Sequence, residues 1–370
     1  MRSADTGSIQ RMTAHFSTLG VGQDAPFAAR FESVGAVVPA RRVTSREVMS
    51  RVRPSGRLSL EGLTGIRERR VCGEGEDSYT LAVGAAEECL RHSSCSAADL
   101  EMIVCCSISR FKDGLNHVFE PPLALYVRDA VGAHHALAFD ISNACAGMLT
   151  GVYIVSDFIR RGVISRGMVV SGEYITSLSD NAVPHVRTPL SRQLPSLTLG
   201  DCGAAALVER AQPGSGALVT GGFVTVARWA GLCTGGASSR APGGEMVTYA
   251  RKLQEAAVAA TPPVLRRALE AWGVDITEID HVIPHQTSSR AISAGTLLLS
   301  RRLGGTPENV VVNVTDYGNT ASTSHFLALY RMLEEGRLRR GEKVMLVSLA
   351  SGLVMGVVGF EMDDLVERYG

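Results

Sequence analysis

Apolar and polar positions along this chain fall into two rhythms that keep changing places. From Ala29 the run ARFESVGAVVP predicts a strand, and residues 45–52 and 79–92 then repeat apolar positions every three to four residues, the spacing of an amphipathic helix. AADLEMIVCCSIS reads as a loop feeding a buried strand that ends near Ser107. ALAFDIS predicts another strand, a turn of small residues holds Cys145, and a helical pattern runs from about 148 to 161. Late in the chain LVSLASGLVMGVVGF predicts paired buried strands, because it is too short and too broken by Ser and Gly to span a bilayer. Two stretches lack periodicity. Residues 1–28 are expected to be a flexible extension, and GGASSRAPGGE (235–245), without the spacing of a phosphate loop, a mobile surface loop. Helix and strand alternate throughout, which predicts a layered α/β fold.

The pattern also repeats. FDISNACAGMLTGVYIVSDFIRRGVISRGMVVSG, from Phe139, and VNVTDYGNTASTSHFLALYRMLEEGRLRRGEKVMLVSLASG, from Val312, both run strand, small-residue turn, helix, a Gly-x4-Gly connection and a second strand. Upstream, ADLEMIVCCS parallels EIDHVIPHQT. Two halves are expected, 29–210 and 211–370, related by a pseudo-twofold axis. The turns holding Cys145, His285 and Asn319 then converge.

Composition narrows the classes. The 37 basic and 37 acidic residues balance, so no global field draws nucleic acid or an anionic membrane to the protein. Hydrophobic content of 45% over 370 residues supports a large core. The eight cysteines include no CxxC pair and no hydrophobic signal segment opens the given chain, which argues against disulfides and structural zinc and for a reducing cytoplasm.

The chemistry centres on the turn after ALAFDIS. A thiol at a strand-to-helix junction faces unpaired helix N–H groups that favour the thiolate, so Cys145 is a candidate nucleophile; the plainer reading is a small core hydrophobe. His285 ends the strand HVIPH, placed either to donate to an oxygen and exchange a proton or simply to be satisfied by backbone. His281 and His285 have metal-ligand spacing, but Pro284 prevents the helix that would align them, and no metal site is expected. Asn319 follows Gly318 in YGNTAS and is a candidate donor or a turn-former.

With their flanks, these residues resemble the thiolase superfamily, and within it the β-ketoacyl synthase III branch. The matching segments are NACAG around Cys145, PHQ around His285, GNTAS around Asn319, TGIRERR (64–70), LTLGDCGAAALV (197–208) and ASGL (350–353). The resemblance implies a five-layered αβαβα sandwich of two duplicated halves. It implies that Cys145 takes an acyl group from an acyl-CoA or acyl-carrier-protein thioester. His285 and Asn319 would hold the second thioester's oxygen as it becomes an enolate, and the backbone N–H groups of Cys145 and Ser351 would form the oxyanion hole. No permanently bound cofactor is implied. The expected partners are these thioester substrates and a second subunit, a homodimer or a heterodimer with a related chain. Arg290 is a candidate contact for a coenzyme A phosphate or a carrier protein, with a solvated basic face shared with Arg301 and Arg302 as the plainer reading.

Within the branch, the segment SISRFKDGLNHVFEPP (107–122) is similar to that of the OleA-type enzymes, which join two acyl thioesters head to head without decarboxylation. Glu120 matches the glutamate that such enzymes send into the partner's active site as a base, although the segment is several residues longer here. Where the housekeeping fatty-acid enzymes of the branch carry a Trp and an Arg for the adenine end of coenzyme A, this chain has Ser59 and Leu63, and Gln193 stands where a third arginine is expected. A non-decarboxylative Claisen condensation is therefore the leading expectation. Decarboxylative condensation with malonyl-carrier protein, and acyl transfer to an alcohol or amine, are the alternatives.

Overall fold

A computed structural model describes residues 14–18, 25–53, 58–212 and 216–370. The strands that build the main sheets and one hairpin are, in chain order, β1 (Ala14–Thr18), β2 (Ala29–Val37), β3 (Met102–Cys105), β4 (Leu137–Asp140), β5 (Arg166–Glu173), β6 (Cys202–Arg210), β7 (Leu218–Thr225), β8 (Cys233–Ala237), β9 (Gly244–Thr248), β10 (His281–Pro284), β11 (Asn309–Val310), β12 (Lys343–Ala350) and β13 (Val354–Glu361). The principal helices are α1 (Ser78–Arg91), α2 (Leu123–Val131), α3 (Gly147–Arg160), α4 (Ala250–Trp272), α5 (Ser289–Leu303) and α6 (Ser324–Glu334).

One sheet has the order β2-β6-β5-β3-β4, the other β1-β7-β13-β12-β10-β11. Each is mixed, with parallel pairing where a helix crosses over (β3 to β4 and β5; β10 to β11 and β12) and antiparallel pairing elsewhere. Alternate residues face opposite layers, as strand geometry requires. On β3, Met102 and Val104 point into the core that contains Met148, Val152 and Val155 of α3 and Phe326 and Leu329 of α6, together with Leu346 and Val358 of the second sheet. Their neighbours Ile103 and Cys105 point the other way, against Ala82 and Ala86 of α1 and Leu123 and Val127 of α2. On the far side, Val357 and Met345 meet Ala260, Val264 and Ala268 of α4. The layers are thus helix, sheet, helix, sheet, helix, a thiolase-type fold.

Helix α1 lies unusually close to its sheet. A Cβ on Gly172 would sit 1.9 Å from the Ser78 carbonyl, and one on the paired Gly203 would sit 2.0 Å from that of Leu81, so only glycine admits the helix at this depth.

Two expectations need correction. Ala14–Thr18, assigned to a flexible extension, pairs antiparallel with β7 as the edge of the second sheet; residues 1–13 and 19–24 of that stretch lie outside the described residues. The 235–245 stretch is largely a hairpin, β8 pairing with β9 from Cys233↔Thr248 to Ala237↔Gly244, because small residues at both strands allow close pairing around the turn.

Candidate active site

Cys145 lies in a tight 3-10 turn, Ala144–Ala146, that runs directly into α3. In the second half Ala321–Thr323 is the same kind of turn, running into α6. Both turns open on an alanine with positive φ, 46° at Ala144 and 56° at Ala321. A non-glycine residue held in that region is costly and persists only where its surroundings fix it, so the shared feature is local evidence of duplication. The matched position of Cys145 is Ser322.

The two turns meet at a cavity of about 1020 Å³. Cys145, His285, Asn319 and Ser351 all line it. Among its described lining residues there is no Asp, Glu, Lys or Arg. Cys145 is half-buried, and its exposed face opens on this cavity. Its carbonyl accepts from Ser348 Oγ at 3.2 Å, which ties the turn to β12.

His285 is 5% exposed, at the end of β10, with its backbone N–H donating to Val347 O at 2.8 Å. The neighbouring Gln286 clamps the turn: its Nε2 donates to Pro284 O (2.8 Å) and Val311 O (3.0 Å), and its Oε1 accepts from Asn313 N (3.0 Å) and Val314 N (3.2 Å). Asn319 is fixed by its backbone, which donates to Thr198 O at 2.9 Å and accepts from Gly200 N at 3.0 Å. Its Oδ1 accepts from Ala321 N at 3.0 Å, which leaves Nδ2 as the donor end of the amide.

The electrostatics of this chamber oppose charge. Burial pushes the Cys145 thiol well above its ordinary value, helped by the nearby Cys233 and Glu173. Burial thus works against the thiolate that the helix start behind Cys145 favours. Burial pushes His285 down to about 3, reinforced by His325. The resting pair is therefore a neutral thiol and a neutral imidazole.

The remaining sequence candidates lie elsewhere. Glu120 is exposed, next to Phe119 at 80% exposure, and is not among the residues lining the cavity. Its segment is pinned at both roots. Glu173 accepts from Ile108 N (2.9 Å) and Ser109 N (3.1 Å) at one end, and Asp140 accepts from Leu123 N (3.0 Å) and Ala124 N (2.9 Å) at the other. Between them Ile108, Ser109, Phe111, Leu115 and His117 face the cavity, whereas Glu120 is carried outward. Arg290 is exposed in the first turn of α5 and does not line the cavity either. Arg301 and Arg302, in the last turn of that helix, are also exposed.

Sequence reasoning assigned no role to His325, Glu173, Gln286 or the cavity-lining Cys233. Gln286 lay within the PHQ motif and its polarity at a buried strand end was a usable signal. Glu173 and His325 carried none, since each looks like an ordinary helix or strand residue until the layers are assembled. No group of three or more His, Cys, Asp or Glu side chains among the described residues forms a metal site. No described helix is long and apolar enough to cross a membrane.

A layered, duplicated fold whose central helices both begin at one uncharged chamber defines the class of thiolase-fold condensing acyltransferases. Residues 139–221 match the family model for 3-oxoacyl-[acyl-carrier-protein] synthase III, and residues 269–362 match that for its C-terminal region. The chain is 31% identical over 331 residues to β-ketoacyl-[acyl-carrier-protein] synthase III of Rhizobium rhizogenes, covering 88% of this chain and 96% of that one. It is 30% identical to the protein of the same name from Symbiobacterium thermophilum, covering 88% and 95%. Among solved structures, an alanine-for-glutamate variant of Xanthomonas campestris OleA superimposes with a TM-score of 0.81 at 22% identity, covering 92% of this chain and 100% of that one. A serine-for-cysteine variant of the same protein, crystallised with lauric acid and lauroyl-CoA, gives 0.80 at 23%, covering 90% and 99%. The chain belongs to the β-ketoacyl-[acyl-carrier-protein] synthase III family. Its chemistry is acyl-thioester condensation through an active cysteine.

Proposed function

We propose that this protein condenses two acyl thioesters, carried by coenzyme A or an acyl carrier protein, into a β-ketoacyl product without decarboxylation, and that it works as a dimer. Cys145 Sγ attacks the first thioester carbonyl, forming the acyl-cysteine and releasing the carrier thiol. Because burial disfavours a free thiolate in the chamber, the Cys145 proton passes to the departing carrier sulfur while the tetrahedral oxygen settles on the backbone N–H groups of Cys145 and Ser351. Neutral His285 and the Asn319 amide then face the oxygen of the second thioester. The Glu120 carboxylate takes an α-proton from that substrate, making an enolate whose oxygen is held by both donors; its α-carbon attacks the acyl-cysteine, and the Cys145 sulfur leaves and takes the proton back.

The observation that carries the reading is the uncharged wall of the cavity. An acyl thioester that keeps all its carbons needs a base for its α-proton. His285, held down to about 3, is a weak one. Glu120 supports the role from a neighbouring subunit: it is carried outward on a segment pinned at both roots, beside β4, the outermost strand of its sheet, where Leu137 is 55% exposed. The coenzyme A or carrier-protein end would lie toward the exposed start of α5, with Arg290 as a contact. Malonyl-dependent condensation uses the same His285 and Asn319 pair and needs no base, and so differs in its indifference to Glu120.

The test is incubation with a single acyl-CoA and no malonyl donor. A β-keto product, or the ketone formed by its decarboxylation, is expected. Acylated Cys145 without either product, with condensation restored by malonyl-carrier protein, would sink the proposal.

A further inference from the structure

Among the described residues the largest fully buried side chain is that of Arg69, 1% exposed, in the short strand Glu68–Arg70. No carboxylate among the described residues pairs with it. Burial lowers its value to about 10 with no neighbouring charge to offset the effect, so at neutral pH the core holds a lone guanidinium cation. A buried charge without a counter-charge is costly, and its presence calls for a reason.

The contacts of the side chain supply one. Its root packs on two glycines: a Cβ on Gly200 or on Gly318 would lie 3.1 Å from Arg69 Cβ, so a larger residue at either would push the arginine away. Between these glycines Leu199 and Asn319 form a parallel bridge. There Asn319 N donates to Thr198 O at 2.9 Å and Gly200 N donates to Asn319 O at 3.0 Å. The head of the side chain grips the same loop one residue earlier, Nη1 donating to Leu197 O at 2.7 Å. Nη2 donates to Ser45 Oγ at 2.8 Å, and that hydroxyl donates to Ile66 O at 2.6 Å. A planar guanidinium holds two acceptors at a fixed separation, which neither an ammonium nor an apolar chain does. The stem of Arg69 thus covers the bridge that fixes the Asn319 backbone, and its fork ties the loop bearing that bridge to Ser45. Asn319 lines the cavity, whereas Arg69 stands behind it and does not.

We propose that Arg69 is a positioning residue for the condensation step, holding the Leu197–Gly200 loop and through it the Asn319 amide at the enolate oxygen. The proposal rests on the role given to Asn319 above and adds the residue that keeps it in place. Because Asn319 faces the second thioester, loss of Arg69 spares acyl transfer to Cys145 and slows formation of the carbon–carbon bond.

The experiment reads the two half-reactions separately in Arg69→Met, an unbranched side chain without the charge or the fork. Formation of acyl-Cys145 is followed by intact mass spectrometry. Condensation is followed as β-keto product from the preformed acyl-enzyme, with a second acyl-CoA and, in parallel, with malonyl-carrier protein, which uses the same His285 and Asn319 pair. Acylation stays within ~2-fold of wild type while condensation falls ~100-fold, the scale on which a small misplacement of a catalytic group acts. In an Asn319→Ala background Arg69→Met adds no further loss, since both act through one amide. Condensation at the wild-type rate overturns the proposal. So does an equal loss in both half-reactions, or a loss additive with Asn319→Ala, either of which marks a merely structural residue. Arg69→Lys, which keeps the charge but not the fork, shows the same selective loss and keeps the test decisive if Arg69→Met does not fold; wild-type condensation in Arg69→Lys overturns the proposal. Wild-type condensation with the malonyl donor alone overturns the non-decarboxylative reading and leaves the test of Arg69 intact. A wild-type acyl-enzyme that condenses with neither donor overturns the role of Asn319, and that of Arg69 with it.

Discussion

The rings of His285 and His325 stack with centroids 5.7 Å apart and planes inclined by 27°. His325 comes from α6, the central helix that follows the Asn319 turn, and its Nε2 lies 3.1 Å from Val347 O, the carbonyl that also receives the His285 backbone N–H. One strand carbonyl therefore registers both rings. A charge on either would be buried and would face the other, and the pair is held neutral, His285 near 3 and His325 near 4.

A pH signature follows. Both histidines have folded-state values below the ordinary 6.5, so as pH falls from 6.5 toward about 4 the unfolded chain takes up protons first. Their contribution to stability is present above that window and is lost as pH falls through it. Asp201, pushed up to about 6 by burial, works in the opposite sense, because the folded protein binds its proton first between about 6 and 3.8. The histidine effect is isolated by comparing wild type with His325→Gln in urea unfolding at a series of pH values. The wild-type advantage should shrink as pH falls, by at most about 1.4 kcal/mol per pH unit for this group. A difference that stays constant with pH contradicts the buried neutral pair.

Glu120 makes a prediction about subunits. If it acts across a dimer, Glu120→Ala and Cys145→Ala are each inactive alone, yet dissociating and reassociating an equal mixture restores about a quarter of wild-type condensation, because half the dimers are mixed and each has one complete site. No recovery means that Glu120 serves its own chain or none.

Glu173 is fully buried and receives, besides the Ile108 and Ser109 N–H groups, the hydroxyls of Ser109, Ser171 and Ser322, the last at 2.5 Å. It joins the root of the Glu120 segment to the turn that follows Asn319. Glu173→Ala leaves these donors without an acceptor and should lower stability by about 3 kcal/mol, measured by urea unfolding. Glu173→Gln keeps one acceptor oxygen and should lose less. Equal stability of Glu173→Ala and wild type would contradict the network.

Much of this was legible because it is periodic or repeated. The turn into α3 and the strand ending at His285 stood out as breaks between strand and helix rhythms, and the internal repeat pointed to their convergence. The layered α/β class followed from the same alternation, whereas the five-layered arrangement came from the resemblance carried by the motifs around Cys145, His285 and Asn319. What escaped detection depends on contacts between layers. Nothing in the spelling of SGEYIT marks Glu173 as the acceptor for Ser109 and Ser322, which come from other elements, as well as for Ser171 of its own strand, and His325 looks like a helix residue until β12 brings Val347 against it. The helix start behind Cys145 was visible in the sequence, whereas the burial that works against a charged thiol there was not. Residues 14–18 were misread because a short edge strand has too few residues to establish a rhythm.

The account turns on which atom carries the acyl group. Two thiols, Cys145 and Cys233, line the one cavity, and Cys233 Sγ lies 3.3 Å from Thr248 Oγ1. Brief incubation with an acyl-CoA, followed by proteolysis and peptide mass mapping, separates them. The acyl mass should appear on the peptide containing Cys145 and vanish from the whole protein in Cys145→Ala. An adduct on Cys233 alone, or one that persists in Cys145→Ala, would contradict the assignment of the nucleophile.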